Sequence, residues 1–168
     1  MPAPTSAPVT PQPEAPREVQ RAAVIRTQML IRKPVAEVFQ AFIDPAVTTQ
    51  FWFTKSSGKL EAGKRVRWEW EMYGVSADIT VKAVEKDKRI LIGWPNPVEW
   101  VFVPRTSDTT SVTIIASGFD GTDVEIVKRV IDEAGGFALV MAGCKAWLEH
   151  GVALNLVADH DPEAHKAM

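Results

Sequence analysis

A chain of 168 residues with 46% hydrophobic composition is long enough for one domain with a sizeable core and too short for a second of ordinary size. Nineteen basic against twenty-one acidic residues leave a net charge of −2, with no cluster of four basic side chains, which argues against nucleic acid as a partner. The single cysteine excludes an internal disulfide. With no apolar run near the roughly 18 residues that span a bilayer and no leader-like start, a soluble cytoplasmic protein is expected.

Residues 1–18 hold six prolines and no large aromatic residue, too little apolar surface to offset ordering, so a disordered tail is expected there. A single domain is expected over 20–158, followed by a frayed polar tail over 159–168. From Gln20 an extended run begins in which Ala23, Ile25, Thr27, Met29 and Ile31 alternate with mostly polar neighbours, the period of a half-buried strand. Pro34 is placed to start a helix carrying Val35, Val38, Phe39 and Phe42, and a second short helix runs from Pro45 towards Phe51 and Trp52. The segment TKSSG breaks that pattern.

Short strands follow over 59–61, 64–72, 75–85, 89–94, 98–104 and 110–118, separated by turn residues, so neighbours are antiparallel. Four of the six tryptophans fall here: Trp68, Trp70, Trp94 and Trp100, with Phe102 next but one. Placing Trp68 inward also turns Val66, Val75, Ala77, Ile79, Val81, Ala83, Ile90, Ile92, Val98, Val112, Ile114 and Ala116 inward, and Arg65, Arg67, Glu69, Asp78, Lys82 and Glu99 outward. Thr122 with Glu125 forms a capping-box pattern for a helix starting at Asp123. Gly135-Gly136 predicts a break, after which Phe137, Val140, Met141, Cys144, Leu148, Gly151, Val152 and Asn155 form the apolar stripe of a last helix.

This order of elements resembles the helix-grip fold of the START-like superfamily (SRPBCC, also called polyketide cyclase-like or Bet v 1-like). Within it the chain resembles the branch related to the C-terminal domain of the activator of Hsp90 ATPase. The matching residues are Ile31 to Pro34 with Val38-Phe39, Asp44-Pro45 leading to Phe51-Trp52, the bend Leu60 to Val66, Ser117-Gly118-Phe119, Gly136-Phe137 and Trp147-Leu148. Lys33, Lys64 and Ala116 depart from the pattern, the last making the interior more apolar. The resemblance implies an α+β fold, a strongly curved antiparallel sheet of six to seven strands wrapped on a long C-terminal helix, with two short helices after the first strand.

No reaction centre is legible: His150, His160 and His165 all lie in the last nineteen residues, and no metal-ligand spacing occurs, so neither cofactor nor metal is expected. Asp120 and Asp123 read as supports of a helix start, and Tyr73 as an edge residue with its hydroxyl in water. Because the resemblance implies a cavity-forming architecture and no reaction centre is found, the expected function is non-enzymatic binding of a small hydrophobic or aromatic molecule between sheet and helix. The expected lining is Trp52, Trp68, Trp70, Trp94, Trp100, Phe102, Phe119, Phe137, Met141, Cys144, Trp147 and Leu148, with residues 52–58 and Gly135-Gly136 as gates. Two alternatives stay open. One is partner binding like that of an Hsp90 ATPase activator, against which stands the proline-rich tail in place of a second domain. The other is a cyclase or dehydratase of small aromatic or polyketide substrates, since a shaped cavity alone can fold a reactive chain. Pairing of exposed sheet edges keeps a homodimer open.

Overall fold

The computed structural model describes residues 7–15 and 17–163. Part of each terminal segment expected to be unstructured, 1–6, 16 and 164–168, thus lies outside the described residues. Residues 7–15 are exposed and without regular secondary structure, and a short helix, α1 (Glu18–Ala22), follows where the start of the first strand was expected. Arg17 anchors it by pairing with Asp123 at 3.3 Å and donating to the Gly121 carbonyl.

Strand β1 (Ile25–Ile31) leads into α2 (Val35–Ile43), which Pro34 precedes as the cap residue, and α3 (Pro45–Thr48). The Asp44 side chain caps α3 by accepting from the Ala46 amide at 2.9 Å. Six more strands follow: β2 (Lys55–Ser56), β3 (Arg65–Trp70), β4 (Val75–Glu85), β5 (Arg89–Trp94), β6 (Asn96–Thr106) and β7 (Thr109–Ala116). They form one antiparallel seven-stranded sheet in the order β1-β7-β6-β5-β4-β3-β2. The sheet curls into a half-barrel around the long helix α4 (Asp123–His150), and α5 (Leu156–Asp159) ends the described chain's helices. This is the α+β helix-grip architecture.

The register gives the core its rows. Val81, Ile92, Val98, Ala116 and Ile25 pair successively across five strands and are all buried. Ile90, Trp100 and Ile114 make the next row, and Trp68 faces Ala77. Tryptophan and β-branched side chains on facing positions interlock well on a pleated surface.

Several sequence expectations need correction. Residues 59–61 form no strand; the edge is Lys55–Ser56, inside the segment read as a breaker, because Ser57 and Thr54 also bond β3. A bulge between Val81 and Ala83 shifts the inward face of β4, so Val84 rather than Ala83 pairs with Ile90 and packs on the core. Val75 is exposed at the end of the sheet. Most consequential is α4, which runs unbroken through Gly135-Gly136 and stops at Gly151, in the left-handed conformation with φ 65°. Val152 and Asn155 therefore leave the helix, and Asn155 is exposed.

Candidate functional site

Under α4 the aromatic side chains divide into a closed group and an open one. In the closed group Phe42 lies 6.1 Å from Trp100, Phe39 meets Phe102 edge-on at 5.2 Å, and Phe53 stacks on Trp68 at 4.6 Å. Of the residues expected to line a cavity, Trp68, Trp100, Phe102, Phe119, Met141 and Cys144 are all at most 3% exposed and belong to this packed interior. Trp147 and Leu148 are half-buried and pack on its rim. The Trp100 indole N–H is buried and finds no acceptor among the described residues. Burial pushes the Cys144 thiol well above its ordinary range, which leaves it a small core hydrophobe rather than a nucleophile.

The open group surrounds a cleft of about 330 Å³ between the β3, β4 and β5 ends of the sheet and the middle of α4. Trp52, Trp70, Trp94 and Phe137 from the expected set line it. Trp70 and Trp94 lie parallel, 5.6 Å apart with 6° between their planes, and Trp52 is tilted against Trp94 at 6.0 Å. Tyr73, Val75, Asp132, Glu133, Gly136, Leu139, Val140, Val157 and His160 complete the lining, and of these the sequence places only Val140 on a helix stripe turned to the sheet. A helix carried through the two glycines puts Asp132, Gly136 and Val140, four residues apart, on one side. That spacing was the available signal, and reading Gly135-Gly136 as a break hid it.

Why the cleft stays open is visible at Gly136: a Cβ placed there would have no atom within 4 Å. The lower wall is tied down. The Thr54 hydroxyl and amide both bond the Glu69 carbonyl, and Trp52 and Phe53 are buried. On the far side Tyr73 sits in a 3₁₀ turn before Gly74, and its hydroxyl donates to the Val157 carbonyl and meets His160 Nδ1 at 3.1 Å. This corrects the expectation of a hydroxyl in water: Tyr73 holds α5 against the cleft. Partial burial, then the nearby carboxylates of Asp161 and Asp159, raise the phenol above its ordinary range, so it remains a neutral donor.

The polar groups of the site stand at its rim. Glu133 is bound to Arg129 at 2.9 Å, and Arg129 also donates to Asn96 and lies 5.1 Å over the Phe119 ring. Asn96, a buried amide whose role was not legible from the sequence, donates in turn to the Ser117 carbonyl and thereby fixes the end of β7 against the start of β6 and α4. The Asp132 carboxylate has neither an ion pair nor a hydrogen bond among the described residues. No group of three metal-ligating side chains occurs among the described residues.

The activator of Hsp90 ATPase homolog 1-like protein family matches residues 32–149, which span β2 to β7 and nearly all of α4. The chain belongs to this family. A search of curated proteins found no significant match. Among solved structures, the family member shares its fold with SSP2350 of Staphylococcus saprophyticus at 31% identity and a TM-score of 0.70, covering 78% of this chain and 95% of that one. The Aha1 dimer of Colwellia psychrerythraea is similar at 16% identity and a TM-score of 0.65, covering 76% and 97%. DynU16, a protein of the dynemicin biosynthetic locus, is similar at 20% identity and a TM-score of 0.62, over 78% of this chain and 49% of its own. Among the described residues no helix is long and apolar enough to cross a membrane.

Proposed function

We propose that this family member binds a small apolar molecule, flat enough to rest against indole rings, in the cleft between Trp52, Trp70, Trp94 and α4, and that it does so without catalysing a reaction. The observation that carries this reading is the open, tryptophan-lined volume beneath Gly136. Ligand sites are typically about 300–1,000 Å³, mostly apolar, with few polar groups at the edge, and this cleft meets each of those terms.

The test is a titration with neutral naphthyl and indolyl compounds, following tryptophan emission and melting temperature in the natural chain and in Gly136→Leu. The expected result is a saturable emission change with a higher melting point, about 2.7 kcal/mol of stabilisation at a hundredfold excess over Kd. Gly136→Leu should lose both responses while melting no lower than the natural chain, because its side chain fills the empty volume. Absence of a response from the natural chain across the panel removes the reading.

Family membership favours a second reading, contact with an Hsp90-type chaperone. The outer sheet face that would make such contact is rich in charge already engaged internally, with Arg67 paired to Glu69 and Asp78 and Lys55 to Glu71. A change in Hsp90 ATP turnover on titration with this protein would establish it.

A further inference from the structure

The charge around the cleft is one-sided. Asp132 and Glu133 stand together on the α4 rim, and the carboxylates of Asp159 and Asp161 act on Tyr73 at the opposite wall. No lysine or arginine lines the cleft among the described residues. Of the cations on the adjoining surface, Arg129 is satisfied by Glu133 and Asn96 and Lys55 by Glu71, while Lys128, one helical turn before Asp132, is exposed and makes no ion pair with it. Asp132 differs from Glu133 in having no partner of its own.

Below this negative rim lies an aromatic enclosure rather than an aliphatic one. Trp52, Trp70, Trp94, Tyr73 and Phe137 present five rings to the same volume. The electron-rich faces of such rings attract a cation, tryptophan most strongly, and the attraction grows as water is excluded. A neutral ligand would use the apolar area and leave the field of the rim unused. An anionic one would be opposed by it.

We infer that the cleft selects organic cations, molecules whose apolar body rests among the tryptophans and whose ammonium or quaternary nitrogen is turned towards the Asp132 carboxylate. This inference rests on the reading of the cleft as a ligand site, and it names the class of ligand that site takes. Asp132 acts as the charge-recognition residue and the rings as the cage. The Arg129–Glu133 pair has a different duty: by satisfying Glu133 it leaves Asp132 as the carboxylate with free valence for the ligand.

Three probes with one ring system and different charge test this: (1-naphthylmethyl)trimethylammonium, 1-naphthalenemethanol and 1-naphthoate, each titrated calorimetrically into the full chain at pH 8 and low salt. The ammonium probe should bind about tenfold or more tighter than the alcohol, a difference of about 1.4 kcal/mol, and the carboxylate should bind weakest. Asp132→Asn should bring the ammonium within about threefold of the alcohol, and Asp132→Glu should restore most of the preference. Asp132 is exposed and unbonded, so both variants should melt with the natural chain. If the alcohol binds as tightly as the ammonium, the inference falls and the ligand-site reading stands. A preference that survives Asp132→Asn overturns the assignment of Asp132. If none of the three binds, both readings fall together.

Discussion

The space beneath α4 has a closed end and an open end, and two glycines on one face of the helix, two turns apart, mark them. At Gly143 a Cβ would lie 3.0 Å from the Phe51 Cβ and 3.3 Å from its carbonyl oxygen, so the glycine lets helix and loop come into direct contact. At Gly136 the same missing side chain leaves empty space over Trp52, Trp70 and Trp94. The residue type is identical; the neighbour differs. At one position absence of a side chain makes a core, and at the other it makes a cleft.

Substitutions at the two ends should separate accordingly. Trp100→Ala removes a fully buried ring from the closed end and is expected to cost about 3–5 kcal/mol, whereas Trp94→Ala at the half-buried cleft wall should cost well under half of that and lose ligand affinity instead. Chemical denaturation of the two variants, with binding measured in parallel, checks both halves of the statement. Equal destabilisation would mean that the cleft wall is core. The glycines provide a finer version. Gly143→Val should destabilise by about 1–3 kcal/mol through overpacking against Phe51, and Gly136→Ala should stabilise by about 0.5–1 kcal/mol, since alanine suits a helix better and meets nothing there. Opposite shifts in denaturation midpoint are the expected signature.

The smallest effect concerns the clasp at the closed end, where Lys145 donates to the Leu30 carbonyl at 2.9 Å and to Glu149 at 2.5 Å. Burial alone would raise the Glu149 carboxyl, but the Lys145 ammonium and the Arg32 amide outweigh it and hold the group below its ordinary range. Its folded value is thus lower than its unfolded one. The stabilisation is complete above the ordinary glutamate value and is lost as pH falls through the depressed one. Glu149→Gln should cost about 1 kcal/mol at neutral pH, with the difference from the natural chain vanishing towards pH 2, as read from melting temperatures across that range.

Most of the fold was legible because its signals are periodic. Alternation placed β3, β5 and β7 with their inward faces correctly assigned, and the Thr122–Glu125 capping box marked the start of α4, where both of its hydrogen bonds form. What failed were features without a local signature. The bulge at Lys82 leaves the alternation of β4 intact in sequence while shifting it in space. Gly135-Gly136 carries a real propensity cost, yet packing of Phe137, Val140 and Met141 on the sheet carries the helix through. The site suffered most from that error. Trp70 and Trp94 are legible from strand alternation, but the opposing wall, Asp132 to Val140, assembles only on a continuous helix. Tyr73 and Val157 meet across more than eighty residues of chain, a distance over which no pattern in the sequence speaks.

The edges of this open sheet bear on how the protein behaves at high concentration. An unpaired strand offers its free amides and carbonyls to any other chain that can extend one more row, which is how many β-rich proteins aggregate. Here one edge, β2, is only two residues long, and on the other the Leu30 carbonyl is occupied by Lys145 from α4. A stray strand would have to displace a lysine at one side or grip almost nothing at the other. The long helix thus blunts one edge of the sheet as well as filling its concave face.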